Sequence, residues 1–122
     1  MTPEAAIYQF LSGFGIPAYA SSSVPDDAKF PYLTYDLVIP EPFGEEVTML
    51  MNVWYRTDSE AAPNAKVREI HDAIGMGGVT LPCDGGMIWL KRGLPWAQSV
   101  TVASDEKVKR RYVNIDLEFL TS

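Results

Sequence analysis

Strict alternation of apolar and polar side chains near the C-terminal end constrains the fold of this chain more than any other feature. Within residues 109–120, the apolar positions are Val113, Ile115, Leu117 and Phe119, and the polar positions between them are Tyr112, Asn114, Asp116 and Glu118. Successive side chains of a β-strand point to opposite faces of its sheet. This period of two therefore predicts a strand with one face in a core and one polar face.

Other segments rich in β-branched and aromatic residues predict further strands between Gly- and Pro-rich turns. The segment 47–56 has apolar side chains on both faces, so it is expected to be a central strand. The remaining strands are expected over residues 18–24 (a weak edge strand), 32–39, 79–81, 87–92 and 97–103. A break at residues 93–95, which contain Gly and Pro, is expected to separate the last two strands.

Two amphipathic helices are predicted outside these strands. Thr2 is a typical N-cap and Pro3 suits the first helical position, and apolar side chains then recur at helical spacing, which predicts a helix over residues 2–12. A second helical stripe predicts a helix over residues 60–74, which Gly75 ends.

The order of these segments is helix, strand, strand, helix and then several strands, which predicts an α+β fold. Short turns favour antiparallel pairing. One polar sheet face and two amphipathic helices predict a two-layer sandwich, with a mainly antiparallel β-sheet and both helices packed on one face. A length of 122 residues fits one domain, so residues 1–122 are expected to form a single α+β domain.

Charge and composition narrow the classes of function. The chain is 47% hydrophobic, which argues against disorder, and its net charge of −6 argues against direct binding to nucleic acid. One cysteine cannot form an internal disulfide, and no apolar run is long enough for a membrane helix. The first four residues lack a basic, apolar leader, so we expect no signal peptide and no association with a membrane.

The residues that could perform chemistry lack partners in the sequence. His71 is the only histidine and Cys83 the only cysteine, and neither lies in a known catalytic or metal-binding pattern. The glycines of residues 75–78 follow a predicted helix and fit a helix C-cap better than a phosphate loop. We therefore expect no catalytic residue, no metal, no cofactor and no small-molecule substrate.

Candidate residues for contact with other proteins fall into three groups. The basic residues near the last strand are either a solvated strand start, which protects the sheet from mispairing, or a docking patch for an acidic surface. The stiff, acidic connection 40–46 and the tryptophan after the 93–95 break are the other two groups. Together the candidates are Pro42, Phe43, Glu45, Glu46, Trp96, Lys107, Lys109, Arg110 and Arg111.

Several short motifs along the chain follow the order found in a known family. They are Phe30-Pro31-Tyr32-Leu33-Thr34-Tyr35, Val53-Trp54-Tyr55-Arg56-Thr57, Ile74-Gly75-Met76-Gly77-Gly78-Val79, Cys83-Asp84-Gly85-Gly86, Leu90-Lys91-Arg92-Gly93 and Lys109-Arg110-Arg111-Tyr112-Val113-Asn114-Ile115. Over nearly its whole length the chain resembles the tail terminators and minor tail proteins of long-tailed bacteriophages and prophages.

The resemblance implies a non-enzymatic structural subunit that needs no cofactor and forms a hexameric ring. Such a ring caps the growing tail tube and meets the head-completion proteins, so the implied partners are copies of the chain itself, the tail tube and those proteins. The implied location is the tail or neck of the virion, after assembly in the cytoplasm of the bacterial host.

Three alternatives stay open at this point. The chain could be another phage neck protein that joins head and tail, or a small non-enzymatic protein-binding module. The third alternative is an enzyme that uses Cys83 or the acidic pairs. It would need a cleft in which the pKa of His71 or Cys83 is strongly shifted.

Overall fold

A computed structural model describes residues 1–121, which form two α-helices, one short 3-10 helix and six β-strands. In chain order, the elements are α1 (Pro3–Leu11), β1 (Ala18–Ala20), the 3-10 helix (Ser21–Ser23), β2 (Tyr32–Tyr35), β3 (Val47–Arg56), α2 (Ala61–Ile74), β4 (Val79–Cys83), β5 (Gly86–Thr101) and β6 (Val108–Thr121). The predicted α+β fold is confirmed.

The six strands form one mixed, curled sheet in the order β1-β2-β3-β6-β5-β4. Strand β1 runs parallel to β2, and every other neighbouring pair is antiparallel. The predicted central position of residues 47–56 is confirmed, because β3 lies between β2 and β6. The weak strand predicted near residue 18 is indeed the edge strand β1, though it spans only Ala18–Ala20.

The predicted break at residues 93–95 is wrong, because Gly86–Thr101 forms one continuous strand. The irregularity is accommodated as a bulge, a shift in the register with β6 between Arg92 and Ala97. At the bulge, Asn114 of β6 donates a side-chain hydrogen bond to the carbonyl oxygen of Pro95, at 2.8 Å. The long partner strand β6 thus holds both halves of β5 in line.

Strand β2 is shorter than predicted and ends at Tyr35 instead of residue 39. Pairing continues for one more hydrogen bond, from Asp36 N to Leu50 O at 2.8 Å. The chain then leaves the sheet, and Leu37 is 43% exposed. Apolar character alone therefore overestimated the length of this strand.

Both predicted helices are confirmed to within one residue at each end. The Thr2 hydroxyl accepts a hydrogen bond from Ala5 N at 3.1 Å, which caps α1 as predicted. Helix α2 ends at Gly75, whose φ of 74° lies in the left-handed region that glycine adopts at low cost.

One hydrophobic cluster joins the two helices to the sheet. Its fully buried members include Ile7 and Leu11 of α1 and Ile70 of α2. The alternating apolar side chains of β6 all belong to it, which confirms the period-two prediction. Each such side chain stabilises the fold by about 1.5–3 kcal/mol relative to an exposed position.

Candidate protein-interaction surfaces

The connection between β2 and β3 projects an acidic loop with an apolar tip. Residues 41–46 are all exposed, and Phe43 is 90% exposed at a φ of 62°. A turn closes the tip, with Gly44 N donating to Glu41 O at 2.9 Å. Just before the loop, Pro40 is buried and Ile39 packs against the core. The predicted residues Pro42, Phe43, Glu45 and Glu46 therefore lie together on an anchored projection, which we call the acidic loop (residues 41–46).

Glu46 fastens the end of the acidic loop to the sheet. Its carboxylate forms an ion pair with the ammonium group of Lys91 on β5. The hydrogen bond that Lys91 donates to Glu46 within this ion pair is the main reason why the pKa of Lys91 lies above its usual value. Lys91 also lies 3.5 Å from the carboxylate of Glu118 and 4.1 Å from the ring centroid of Trp89. Glu46 is thus partly neutralised, whereas Glu45 makes no ion pair within residues 1–121.

The predicted loop position of Trp96 is wrong, because Trp96 lies in β5, and its side chain packs against the core. Its indole Nε1 donates to the carbonyl oxygen of Val67 at 3.3 Å, and its ring contacts that of His71 at a centroid distance of 5.5 Å. The remaining exposed part of Trp96 lines a shallow cavity of about 300 Å³ together with Asn64, Val67, Arg68 and His71. We call this the α2 pocket.

The basic residues at the start of β6 do not form one continuous patch. They are Lys107, Lys109, Arg110 and Arg111, which we call the basic run. Arg111 faces the start of α2, is only 5% exposed, and donates to Glu60 Oε2 at 2.6 Å and to Asn64 Oδ1 at 3.1 Å. The hydrogen bond from Arg111 to Glu60 lowers the pKa of the Glu60 carboxyl. Arg111 therefore fastens the start of α2 to the sheet and is not available as an exposed docking residue.

The two lysines of the run remain closer to solvent. Lys107 is exposed, and its ammonium group lies 3.9 Å from the carboxylate of Asp58. Lys109 is half-buried, and its ammonium group donates to the backbone oxygen of Glu106 at 2.9 Å and lies 4.0 Å from the carboxylate of Glu60. Both lysines thus lie among acidic neighbours of the same chain, which weakens the field they present to a partner.

Arg110 lies on the opposite face of the sheet, beside a row of aromatic rings that sequence reasoning missed. It donates to Asn52 Oδ1 at 2.8 Å and lies 5.1 Å from the ring centroid of Trp54. Stacked on that ring at 6.4 Å is Tyr32, and Phe30 stacks on Tyr32 at 5.4 Å. We call these rings and Arg110 the outer aromatic row. The register of β2, β3 and β6 aligns it, and that register was not available from sequence.

The residues considered for chemistry lie apart from one another. Cys83 ends β4, and burial raises the pKa of its thiol, which disfavours the reactive thiolate. His71 lies on α2, where its Nδ1 is 3.0 Å from a carboxylate oxygen of Asp72. Within residues 1–121, no group of three or more His, Cys, Asp or Glu side chains is arranged to hold a metal ion.

No model of a known protein family matches this chain, and no curated protein matches its sequence significantly. Among residues 1–121, no helix has the length and apolar character needed to cross a membrane.

Proposed function

We propose that this chain is a structural subunit of a phage or prophage tail, a tail terminator. Its copies form a hexameric ring that caps the tail tube and joins it to the head-completion proteins. In this role the protein is not an enzyme and uses neither a cofactor nor a small-molecule substrate. It acts in the tail or neck of the virion after assembly in the bacterial cytoplasm. The proposal starts from the ordered motifs in the sequence.

The acidic loop is the observation that carries the proposal. Aromatic side chains are enriched where proteins meet, and Phe43 stands almost fully in solvent at the tip. The loop is closed by a turn and fastened at one end by Glu46, so little conformational entropy is lost when it binds. A subunit that assembles by head-to-tail contacts needs such a projection and a receiving surface elsewhere on the same chain.

The proposed ring also uses a two-layer arrangement in which both helices cover one face of the sheet. The buried side chains of α1, α2 and β6 in one cluster support this arrangement. On β6, Asp116 and Glu118 alternate with these buried positions and are only half-buried. The polar side of the sheet would then be free for the tail tube or the neck.

A protein-binding module outside the tail is the second candidate. The outer aromatic row favours it, because Trp, Tyr and Arg are the residue types most often found at interface hot spots. A stable monomer with one high-affinity partner and no tendency to form rings would support this candidate.

The first test is the solution mass from light scattering over a concentration series, at low and moderate salt. A hexamer of the 13.5 kDa chain would support the ring. The second is electron microscopy of particles from the source strain, with and without the gene. We expect labelled protein at the neck of intact particles, and unjoined heads and tails without it. Normal, joined particles that lack the protein would refute the proposal, whatever the mass in solution.

A further inference from the structure

The α2 pocket presents a basic and aromatic surface that the fold itself leaves open. Asn64 and Arg68 are exposed at its rim, and the rings of His71 and Trp96 form its wall. Arg68 makes no ion pair in the described part of the chain. A second guanidinium lies close by, because Arg92 Nε donates to the carbonyl oxygen of His71 at 2.9 Å.

The charges around the pocket are dominated by cations. Asp72 places a carboxylate oxygen 3.0 Å from Nδ1 of His71, and it lies within the field of both Arg68 and Arg92. Glu69 is already bound to the ammonium group of Lys66 at 2.9 Å. An arriving carboxylate would therefore meet a net positive field beside two partly exposed rings.

The acidic loop has the complementary composition. Glu41 and Glu45 flank the exposed ring of Phe43, and neither carboxylate forms an ion pair with another described residue. A ring with acidic neighbours fits a shallow site of about 300 Å³ that has aromatic walls and a basic rim.

We propose that the acidic loop of one copy docks in the α2 pocket of a second copy, with Phe43 against Trp96 and His71 and with Glu41 and Glu45 toward Arg68 and Arg92. The inference rests on the proposed ring-forming function and identifies the two surfaces that form each contact. The contact is heterologous, so repeating it from copy to copy can close a ring.

The position of the two surfaces makes the contact intermolecular. The acidic loop leaves the sheet between β2 and β3, and Glu46 reaches Lys91 on the outer side of β5. The α2 pocket lies on the helix side of the same strand, where Trp96 packs against Val67. Strands β3 and β6 lie between β2 and β5. A chain therefore offers its loop and its pocket on different sides.

The first experiment compares the association of single variants with that of matched controls by sedimentation velocity. Phe43→Ser removes the tip of the loop and Arg68→Glu reverses the charge at the pocket, and each is expected to weaken association at least about 10-fold. Met76→Ser is the control for an equally exposed apolar side chain, and Lys29→Glu is the control for the charge change. Both controls should associate like the wild type.

Mixing the two variants tests the direction of the contact. The Phe43→Ser chain keeps its pocket and the Arg68→Glu chain keeps its loop, so one intact contact can form between them. We expect a 1:1 heterodimer that grows no further, at concentrations on the order of 10⁻⁴ M because one contact lacks the avidity of a ring. The indole N–H signal of Trp96 in two-dimensional NMR should shift only in the mixture.

Two results would overturn the inference, and they separate it from the proposed function. If the wild type assembles and both variants assemble equally well, the loop–pocket contact is wrong and the ring still stands. If the wild type stays monomeric to about 1 mM and its Trp96 signal does not move with concentration, direct self-docking is wrong. The microscopy of the neck then decides the proposed function independently.

Discussion

At the scale of single residues, burial decides what the charged side chains of this chain do. Arg110 and Arg111 are neighbours in sequence and together look like one basic patch. In a strand they point to opposite faces, so Arg111 contacts the start of α2 and Arg110 joins the outer aromatic row. The alternation that predicts the strand also implies this separation, because Arg110 and Arg111 occupy successive positions of β6.

Replacing Arg111 should destabilise the fold, because the side chain is buried and fastens α2 to β6 through Glu60 and Asn64. Arg111→Met keeps most of the volume but removes these hydrogen bonds, and we expect a loss of about 2 kcal/mol in the free energy of unfolding. Urea denaturation measures this. The control is Lys107→Met at an exposed position, with a change within about 0.5 kcal/mol. Equal effects of the two substitutions would contradict the anchoring role.

The same contact predicts a dependence of stability on pH. Arg111 lowers the pKa of Glu60 in the folded chain below its ordinary value of 4.5, so the unfolded chain binds a proton more readily. The contribution of Glu60 to stability is therefore present above about pH 4.5 and is lost as the pH falls through the folded-state pKa. Glu60→Gln should lower the melting temperature at pH 7, and this effect should shrink as the pH falls below about 4.5 and through the lowered pKa of Glu60.

The control for this pH effect is Glu106→Gln, which removes an exposed carboxylate that does not contact Arg111. We expect a smaller change in melting temperature at pH 7. A Glu60→Gln effect that persists unchanged in acid would show that the loss is not electrostatic. The pKa of Asp105 is also lowered in the folded chain, chiefly by the hydrogen bond from the backbone N–H of Lys107. Its contribution to stability is therefore also lost in acid, and this loss is common to both variants.

At the scale of elements, strand β5 shows how a partner strand can override local sequence signals. Gly93 and Pro95 predict a break, and the chain does deviate there, but β6 pairs with residues on both sides of the deviation. Gly93 is buried directly against β6, where a Cβ atom would lie 2.7 Å from the carbonyl oxygen of Asn114. Glycine is thus required for close approach of two strands and not for a turn.

Gly93→Ala should therefore destabilise the protein by about 1–3 kcal/mol, because the strands must separate to admit the methyl group. Gly77→Ala is a matched control, since a Cβ atom at that position would meet nothing within 4 Å. Urea denaturation of both variants measures the difference. If Gly93→Ala were as stable as Gly77→Ala, β5 and β6 would have to be less tightly paired at the bulge than the structure indicates.

At the scale of the whole molecule, the sequence predicts the features that depend on neighbouring residues, such as helix ends and the buried face of a strand. Thr2 and Gly75 marked the helix ends, and the alternation in β6 marked the core face, because capping and pleating depend on near neighbours. The pairing of β5 across its bulge, the partners of Arg111 and the outer aromatic row depend on register between distant segments. Trp96 illustrates the limit, since only the packing of β5 on α2 places it in the wall of a pocket.

The charge of the whole chain predicts how self-assembly should depend on salt. Each copy carries a net charge of −6, so copies repel one another at very low ionic strength, while the acidic loop and the α2 pocket attract at short range. The Debye length is roughly 10 Å at 0.1 M salt, so the long-range repulsion is screened first. Association should therefore be strongest near about 0.1 M salt and weaker both below this and near about 1 M. Light scattering across this range of salt concentration measures the mass of the assembly. A steady rise in mass up to about 1 M would instead mean that apolar burial drives association and that the carboxylates beside Phe43 contribute little.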